Sequence, residues 1–316
     1  MRVIRFGNRT VAVSTVTEDW SAVRSFLRRV TVRAPGTTPD LTLRIAAGAD
    51  ASLVVDEPAR TAVLTVPETR RTGSPEPALH IGILQAAARC LALVVDHRAC
   101  ALLHGSAATG PSGRGVAVLD GGTGGGKTSL ALALAAAGGQ LVVDEFLLAT
   151  ITPAGLTMSP SVCLPWHVRS DMAPVLTPDA VATRLHLPDD LPFETSAAGD
   201  VPITAILVPD LDRRAGEVVP VEPRQVRRLL RPAVCDHRAK LLDPRLDHVS
   251  LFSAPQQITI SPGVPPATGD RATGDERVLG LLAAIPTFVV GLGRPDDLAG
   301  AARAALDVLD REMSRS

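Results

Sequence analysis

Gly121-Gly122-Thr123-Gly124-Gly125-Gly126-Lys127-Thr128 is the stretch that decides how this chain is read. It fits the pattern glycine, four residues, glycine-lysine-serine/threonine, whose backbone N–H groups wrap phosphate oxygens at the positive end of a helix. The flanks have the character that the pattern needs. Before it, Gly115-Val116-Ala117-Val118-Leu119 is short, apolar and partly β-branched, as a buried strand is. After it, Ser129-Leu130-Ala131-Leu132-Ala133-Leu134-Ala135-Ala136-Ala137 is rich in strong helix formers and is closed by Gly138-Gly139. The expectation is that Gly121, Gly122, Thr123, Gly124, Gly125 and Gly126 cradle phosphates. Lys127 would reach the β- and γ-phosphates, and the Thr128 hydroxyl would ligate Mg²⁺. A plain glycine-rich turn is the competing reading, and the lysine counts against it. Of 32 lysines and arginines only Lys127 and Lys240 are lysine. A chain so biased towards arginine keeps lysine where a compact ammonium is needed between phosphates.

Working outward, Gln140-Leu141-Val142-Val143-Asp144-Glu145 is an apolar strand that ends in two carboxylates. A helix over 127–137 climbs about 16 Å, and a strand over 140–144 returns about the same distance. That length suits a right-handed parallel βαβ crossover and brings Asp144 back level with the glycine run. Asp144 is therefore expected in catalysis or metal binding, with Glu145 beside it; a solvated acidic turn would not explain why both acids end this strand. On the other side, Ala101 to Ala107 reads as a strand joined by Gly110-Pro111-Ser112-Gly113-Arg114 to the strand at 115–119. A hairpin centred on Ser112 sets His104 opposite Asp120, at the edge of the glycine run. A lone histidine in a strand is often structural, but one delivered to phosphates is a candidate functional residue, to orient Asp144 or contact the γ-phosphate.

Composition narrows the function classes. The 316 residues are 46% hydrophobic and 21% charged, enough for one large or two modest domains. A formal net charge of −1 gives no electrostatic footprint for nucleic acid or an acidic membrane. With no tyrosine and 3% aromatics, base-stacking platforms are not expected. Cys90, Cys100, Cys163 and Cys235 lie far apart with no C-x-x-C pair, which favours reduced thiols in a cytoplasmic protein. The stretch after Met1 lacks the apolar core of a signal peptide. Ile81 to Val95 is broken by Gln85 and Arg89, too interrupted to span a bilayer.

Residues 1–75 read as a small α+β module, a candidate for substrate or partner recognition. A hairpin over 2–6 and 10–14 is followed by a helix from Glu18 to Val30. Short strands at Leu41–Ile45, Ser52–Val55 and Thr61–Val66 complete it. Arg70 to Pro75 is a plausible linker into a second domain over 76–316. That domain opens with a helix from Pro77 to His97, where His80 and His97 are read as helix-end residues. Farther on come a helix and loop over Leu176–Leu191 and a buried strand at Ile203–Pro209. Val218–Val221 is expected to pair with that strand. A basic helix follows at Pro223–Leu230, its arginines read as a solvated face with substrate contact as the rival reading. Lys240, the second lysine, is a candidate to close over the site. Pro262–Thr273 reads as a loop. The chain ends in a helix (276–285), a strand (287–291) and an amphipathic helix (295–311).

The run Leu103-His104-Gly105, then Gly113 to Leu119, the glycine run and Gly139 to Glu145 resembles the HPr kinase/phosphorylase group. More narrowly, it is similar to the related kinases encoded beside bacterial peptide-tailoring clusters, including those for lasso peptides. The likeness is strongest over about residues 100–150. It implies an α/β fold with a phosphoenolpyruvate-carboxykinase/HPr-kinase-like P-loop core. By the resemblance His104 matches the active-site histidine, Lys127 the phosphate-loop lysine and Thr128 the Mg²⁺-binding hydroxyl. Asp144 matches the base acting on the acceptor hydroxyl, and Glu145, standing where a second aspartate is usual, would join Thr128 at the metal by orienting Mg²⁺ or its waters. The cofactors implied are ATP and Mg²⁺, and the partner is a protein or precursor peptide with an accessible serine. The family often forms oligomers, so a homo-oligomer is an expectation of the same kind. The chain lacks the Glu-Ile-Arg-Gly-Leu-Gly stretch of true HPr kinases and their later glycine-arginine loop. The resemblance therefore implies a related kinase with another acceptor. A small-molecule kinase and a non-catalytic ATP-binding scaffold remain the alternatives.

Overall fold

The computed structural model describes residues 2–6, 8–16, 21–49, 52–56, 59–67, 77–94, 99–120, 125–160, 164–168, 185–186, 191–196, 199–236, 257–260 and 268–314. The protein is mixed α/β, with two large mixed sheets and six α-helices among these residues. In chain order the first elements are β1 (Arg2–Phe6), β2 (Arg9–Thr15), α1 (Ser21–Val30), β3 (Val32–Arg33), β4 (Leu41–Gly48), β5 (Ser52–Asp56), β6 (Thr61–Pro67) and α2 (Pro77–Val94). Then come β7 (Cys100–Thr109), β8 (Gly115–Leu119), α3 (Lys127–Ala136), β9 (Leu141–Val143), β10 (Phe146–Thr152), β11 (Gly155–Met158), β12 (Trp166–His167) and β13 (Leu185–His186). The last are β14 (Val201–Asp210), β15 (Val218–Pro220), α4 (Pro223–Arg231), β16 (Gln257–Ile260), α5 (Thr268–Leu282), β17 (Thr287–Gly291) and α6 (Leu298–Met313). None of the described helices is long and apolar enough to cross a membrane.

The chain divides into two compact units, Met1–His97 with Arg238–Ala272, and Arg98–His237 with Thr273–Ser316. The division expected near residue 75 differs from this one, which keeps α2 and β16 with the first sheet. In the first unit the strand order is β16-β5-β6-β4-β2-β1-β3. The expected hairpin is present, with Phe6 opposite Arg9, and α2 packs on β2, β4 and β6. Leu41, Leu43 and Ile45 are buried while Arg44 points out, the period-2 signature of a sheet with one covered face.

The second unit is built differently. Its main sheet runs β11-β10-β7-β8-β14-β17-β15, with β9 also against β7. At its centre β8, β14 and β17 are parallel, and all five residues of β8 are buried. Val116 and Val118 face one apolar cluster with α3 and α6; Ala117 and Leu119 face another with α4 and α5. Both faces are covered, so the strands need no polar alternation, which is why they read as continuous apolar runs.

Three expectations are corrected. Val218–Pro220 pairs antiparallel with β17, not with β14, because β17 lies against β14 and leaves β15 as the half-exposed edge strand. Residues 268–273, expected in a loop, belong to α5. The strand returning after α3 does not lie beside β8: β7 intervenes, antiparallel to both, so β9 is parallel to β8 at one remove. Most of Leu176–Leu191 and the proposed linker lie outside the described residues, as do His97 and Lys240, while His80 falls within α2.

Candidate active site

The β7–β8 hairpin has the register that the sequence predicts. Thr109 faces Gly115 and the ladder ends at Gly105 opposite Leu119, one residue short of the His104–Asp120 pair. On its other edge β7 holds β9 and β10, with Ala107 opposite Val143 and His104 opposite Phe146. The register is the same on both sides of the bend between those strands, so Asp144 comes to Ser106.

The contacts follow from that placement. Asp144, 1% exposed, accepts at Oδ1 a hydrogen bond from Ser106 Oγ at 2.5 Å and another from Thr128 Oγ1 at 2.9 Å. Three elements thus meet on one oxygen: β7, the first turn of α3 and the β9–β10 bend. Glu145 Oε2 lies 3.6 Å from His104 Nε2. His104 and Ser106 are two apart on β7 and share a face. Two consecutive acids on an unbroken strand would point to opposite faces. Glu145 instead has φ +66°, and this left-handed residue turns both acids towards the His104/Ser106 face. Holding a non-glycine residue there costs on the order of 1 kcal/mol. Such an outlier is a pointer to function.

The electrostatics are concentrated. Lys127, 6% exposed, has Nζ 4.0 Å from Asp120 Oδ2. A Cβ at Gly125 would land on that same Asp120 oxygen, so a side chain there would push the Asp120 carboxylate from its place beside Lys127. Burial pushes the Glu145 carboxyl up to about 7, the Asp144 charge adds to this, and Lys127 opposes it. The side chain keeps 38% of its surface open, and water there works against the shift.

Gly126 caps α3 at φ +93°. Such a helix start offers donors and a positive dipole end to an anion. Gly125, Gly126, Lys127, Thr128, Asp144, Glu145 and His104 are therefore placed around one end of the second unit's sheet. Gly121, Gly122, Thr123 and Gly124 lie outside the described residues. Two residues here were not singled out from sequence. Asp120 entered only as the partner of His104. Ser106 had a signal, a hydroxyl two residues from the histidine in an otherwise apolar strand.

Among the described residues no group of three or more His, Cys, Asp or Glu is arranged to hold a metal by itself. The Thr128 hydroxyl and the Asp144 carboxylate are hard oxygen donors side by side. Such a pair suits an ion that keeps most of its shell as water and substrate phosphate, as Mg²⁺ does. No protein-family model matches the chain, and no curated protein matches it. The functional reading rests on these residues.

Proposed function

We propose that the protein is an ATP-dependent phosphotransferase with a phosphoenolpyruvate-carboxykinase/HPr-kinase-like P-loop core. Its acceptor would be a hydroxyl, best a serine of a protein or precursor peptide. The observation that carries this reading is the Thr128–Asp144 hydrogen bond. It joins the hydroxyl following the motif lysine to the carboxylate ending the next strand, the two groups that P-loop enzymes devote to Mg²⁺. When bound, Mg²⁺ would neutralise charge developing on the transferred phosphoryl group.

The chain's own residues supply the rest. The glycine run and the first N–H groups of α3 bind the phosphates, and buried Lys127 adds a fixed positive charge. Ser106 fixes Asp144 from behind. By the family resemblance Asp144 takes the proton of the attacking hydroxyl. A second assignment is favoured by exposure: Asp144 is buried and already accepts two hydroxyl hydrogen bonds, whereas Glu145 is half-buried, its carboxylate beside His104 and partly reached by solvent. In that version Asp144 positions Thr128, and Glu145 receives the proton.

The test is incubation with Mg·ATP and candidate acceptors, read by intact mass. A gain of one phosphoryl group on a peptide supports the reading, and a gain on a metabolite moves it to a small-molecule kinase. ATP binding without transfer to any acceptor makes the protein a nucleotide-binding scaffold. Lys127→Ala should abolish nucleotide-dependent activity.

A further inference from the structure

Among the described residues of the second unit, Leu211 is the one large hydrophobic side chain left exposed, at 51%. A single exposed leucine is ordinary on a surface; its position and its support are what set this one apart. It follows β14, at the carboxyl end of the parallel strands β8, β14 and β17, the edge where ligands of α/β sheets bind. A Cβ added to Gly126 would lie 3.7 Å from Leu211 Cδ2 and 3.7 Å from Pro209 Cβ, and would collide with Leu292 Cδ1. Leu211 thus forms the exposed lip of an apolar ledge directly beside the start of α3, backed by buried Pro209 and Leu292.

The ledge is stiff. Asp210 Oδ1 accepts from the Asp212 N–H at 3.0 Å, and its Oδ2 accepts from Arg213 Nε at 3.1 Å. Arg213 also reaches Glu217 at 2.7 Å, and the Leu292 N–H donates to the Asp210 carbonyl at 3.0 Å. An apolar side chain held out in water by such a bonded turn is pre-organised for a ligand and loses little freedom on contact.

Sidedness identifies the ligand. β7 and β14 flank β8 on opposite edges. Asp144, Glu145 and His104 come from the β7 side, whereas Leu211 and Leu292 come from the β14–β17 side. A triphosphate lying across the start of α3 must put its reacting end by the carboxylates, so its other end points to the ledge. We propose that Leu211, supported from beneath by Pro209 and Leu292, is the seat of the nucleobase of the bound nucleotide. This rests on the nucleotide reading above. The flat apolar face of a base suits aliphatic side chains where the chain offers few aromatics. An apolar residue of the acceptor would instead approach from the β7 side.

The test compares Mg·ATP with Mg-tripolyphosphate, which carries the phosphates and no base, by isothermal titration calorimetry on the full chain. Leu211→Ser is neutral and at an exposed position. It should weaken ATP about five- to ten-fold while leaving tripolyphosphate affinity unchanged. Leu211→Trp, which offers a stacking surface, should tighten ATP and again leave tripolyphosphate alone. Unchanged ATP affinity in both variants overturns the proposal, as does equal weakening of both ligands. A wild-type chain that binds neither ligand brings down the nucleotide reading and this inference with it. Wild-type binding of both, without discrimination by Leu211→Ser, brings down this inference alone.

Discussion

The two units bury polar groups for different reasons. In the first, Thr10 and Thr31 are buried within a sheet-and-helix frame that gives each a structural partner. Asp40 accepts from the Thr10 backbone N–H at 2.7 Å, and the Thr31 hydroxyl bonds the Leu27 carbonyl and receives Arg2 Nε at 2.8 Å. In the second, Ser106, Lys127 and Asp144 are buried at one end of a sheet covered on both faces, and two of them bond each other. Burying a charge costs several kcal/mol unless it is paired and hydrogen-bonded, and here hydroxyls from β7 and α3 converge on the buried Asp144. The two threonines belong to architecture and the cluster at the sheet end to chemistry, while Arg89 on α2 is a buried charge of the first unit outside that contrast.

The sharpest way to break that contrast is Asp144→Asn. Under the kinase reading it keeps ATP binding and lowers transfer by about 10³-fold. Surviving turnover would remove Asp144 from the reaction, and a comparable loss in Glu145→Gln, with Asp144→Asn mainly impairing Mg²⁺ dependence, would make Glu145 the proton acceptor. A paired experiment comes next: Ser106→Ala against Thr31→Ala. Each should cost about 1–3 kcal/mol in chemical unfolding for a lost buried hydrogen bond. Only Ser106→Ala should also slow transfer. Equal effects on turnover would erase the distinction between the units.

A smaller effect is expected from pH. The Glu145 carboxyl is raised from its ordinary value of 4.5 to about 7. Its protonated form is thus favoured by folding, and that stability is present below about pH 4.5 and lost as pH rises through 7. Unfolding of the ligand-free protein followed between pH 5 and 8 should be flatter in Glu145→Gln. The smallest effect is in the first unit. Burial pushes the Cys90 thiol up to about 12, so native protein at pH 8 should resist alkylation there, while half-buried Cys235 reacts sooner.

Much of the second unit was legible because its signals are local. The turn at Gly110–Arg114 between two apolar runs fixed the β7–β8 register, and the glycine run between β8 and a leucine-alanine helix located the start of α3. What was not legible depends on distant partners. Nothing near Val218 says that β17, about seventy residues later, will take the edge of β14. Nothing near Gln257 says that β16 will return to pair in parallel with β5. The role of Ser106 was hidden for a related reason: a serine in an apolar strand gains meaning only once the β9–β10 bend sets an acid opposite it.

That bend offers a sorting rule for chains related to this one. The left-handed conformation at Glu145 is open to glycine, asparagine and aspartate at little cost and nearly closed to valine or isoleucine. A relative carrying a β-branched residue there would straighten the strand, and the bend that brings Asp144 to Ser106 and Thr128 would go with it. Whatever else such a relative had kept, including the lysine and the glycines, it would have lost both the acid beside its histidine and the turn that carries it.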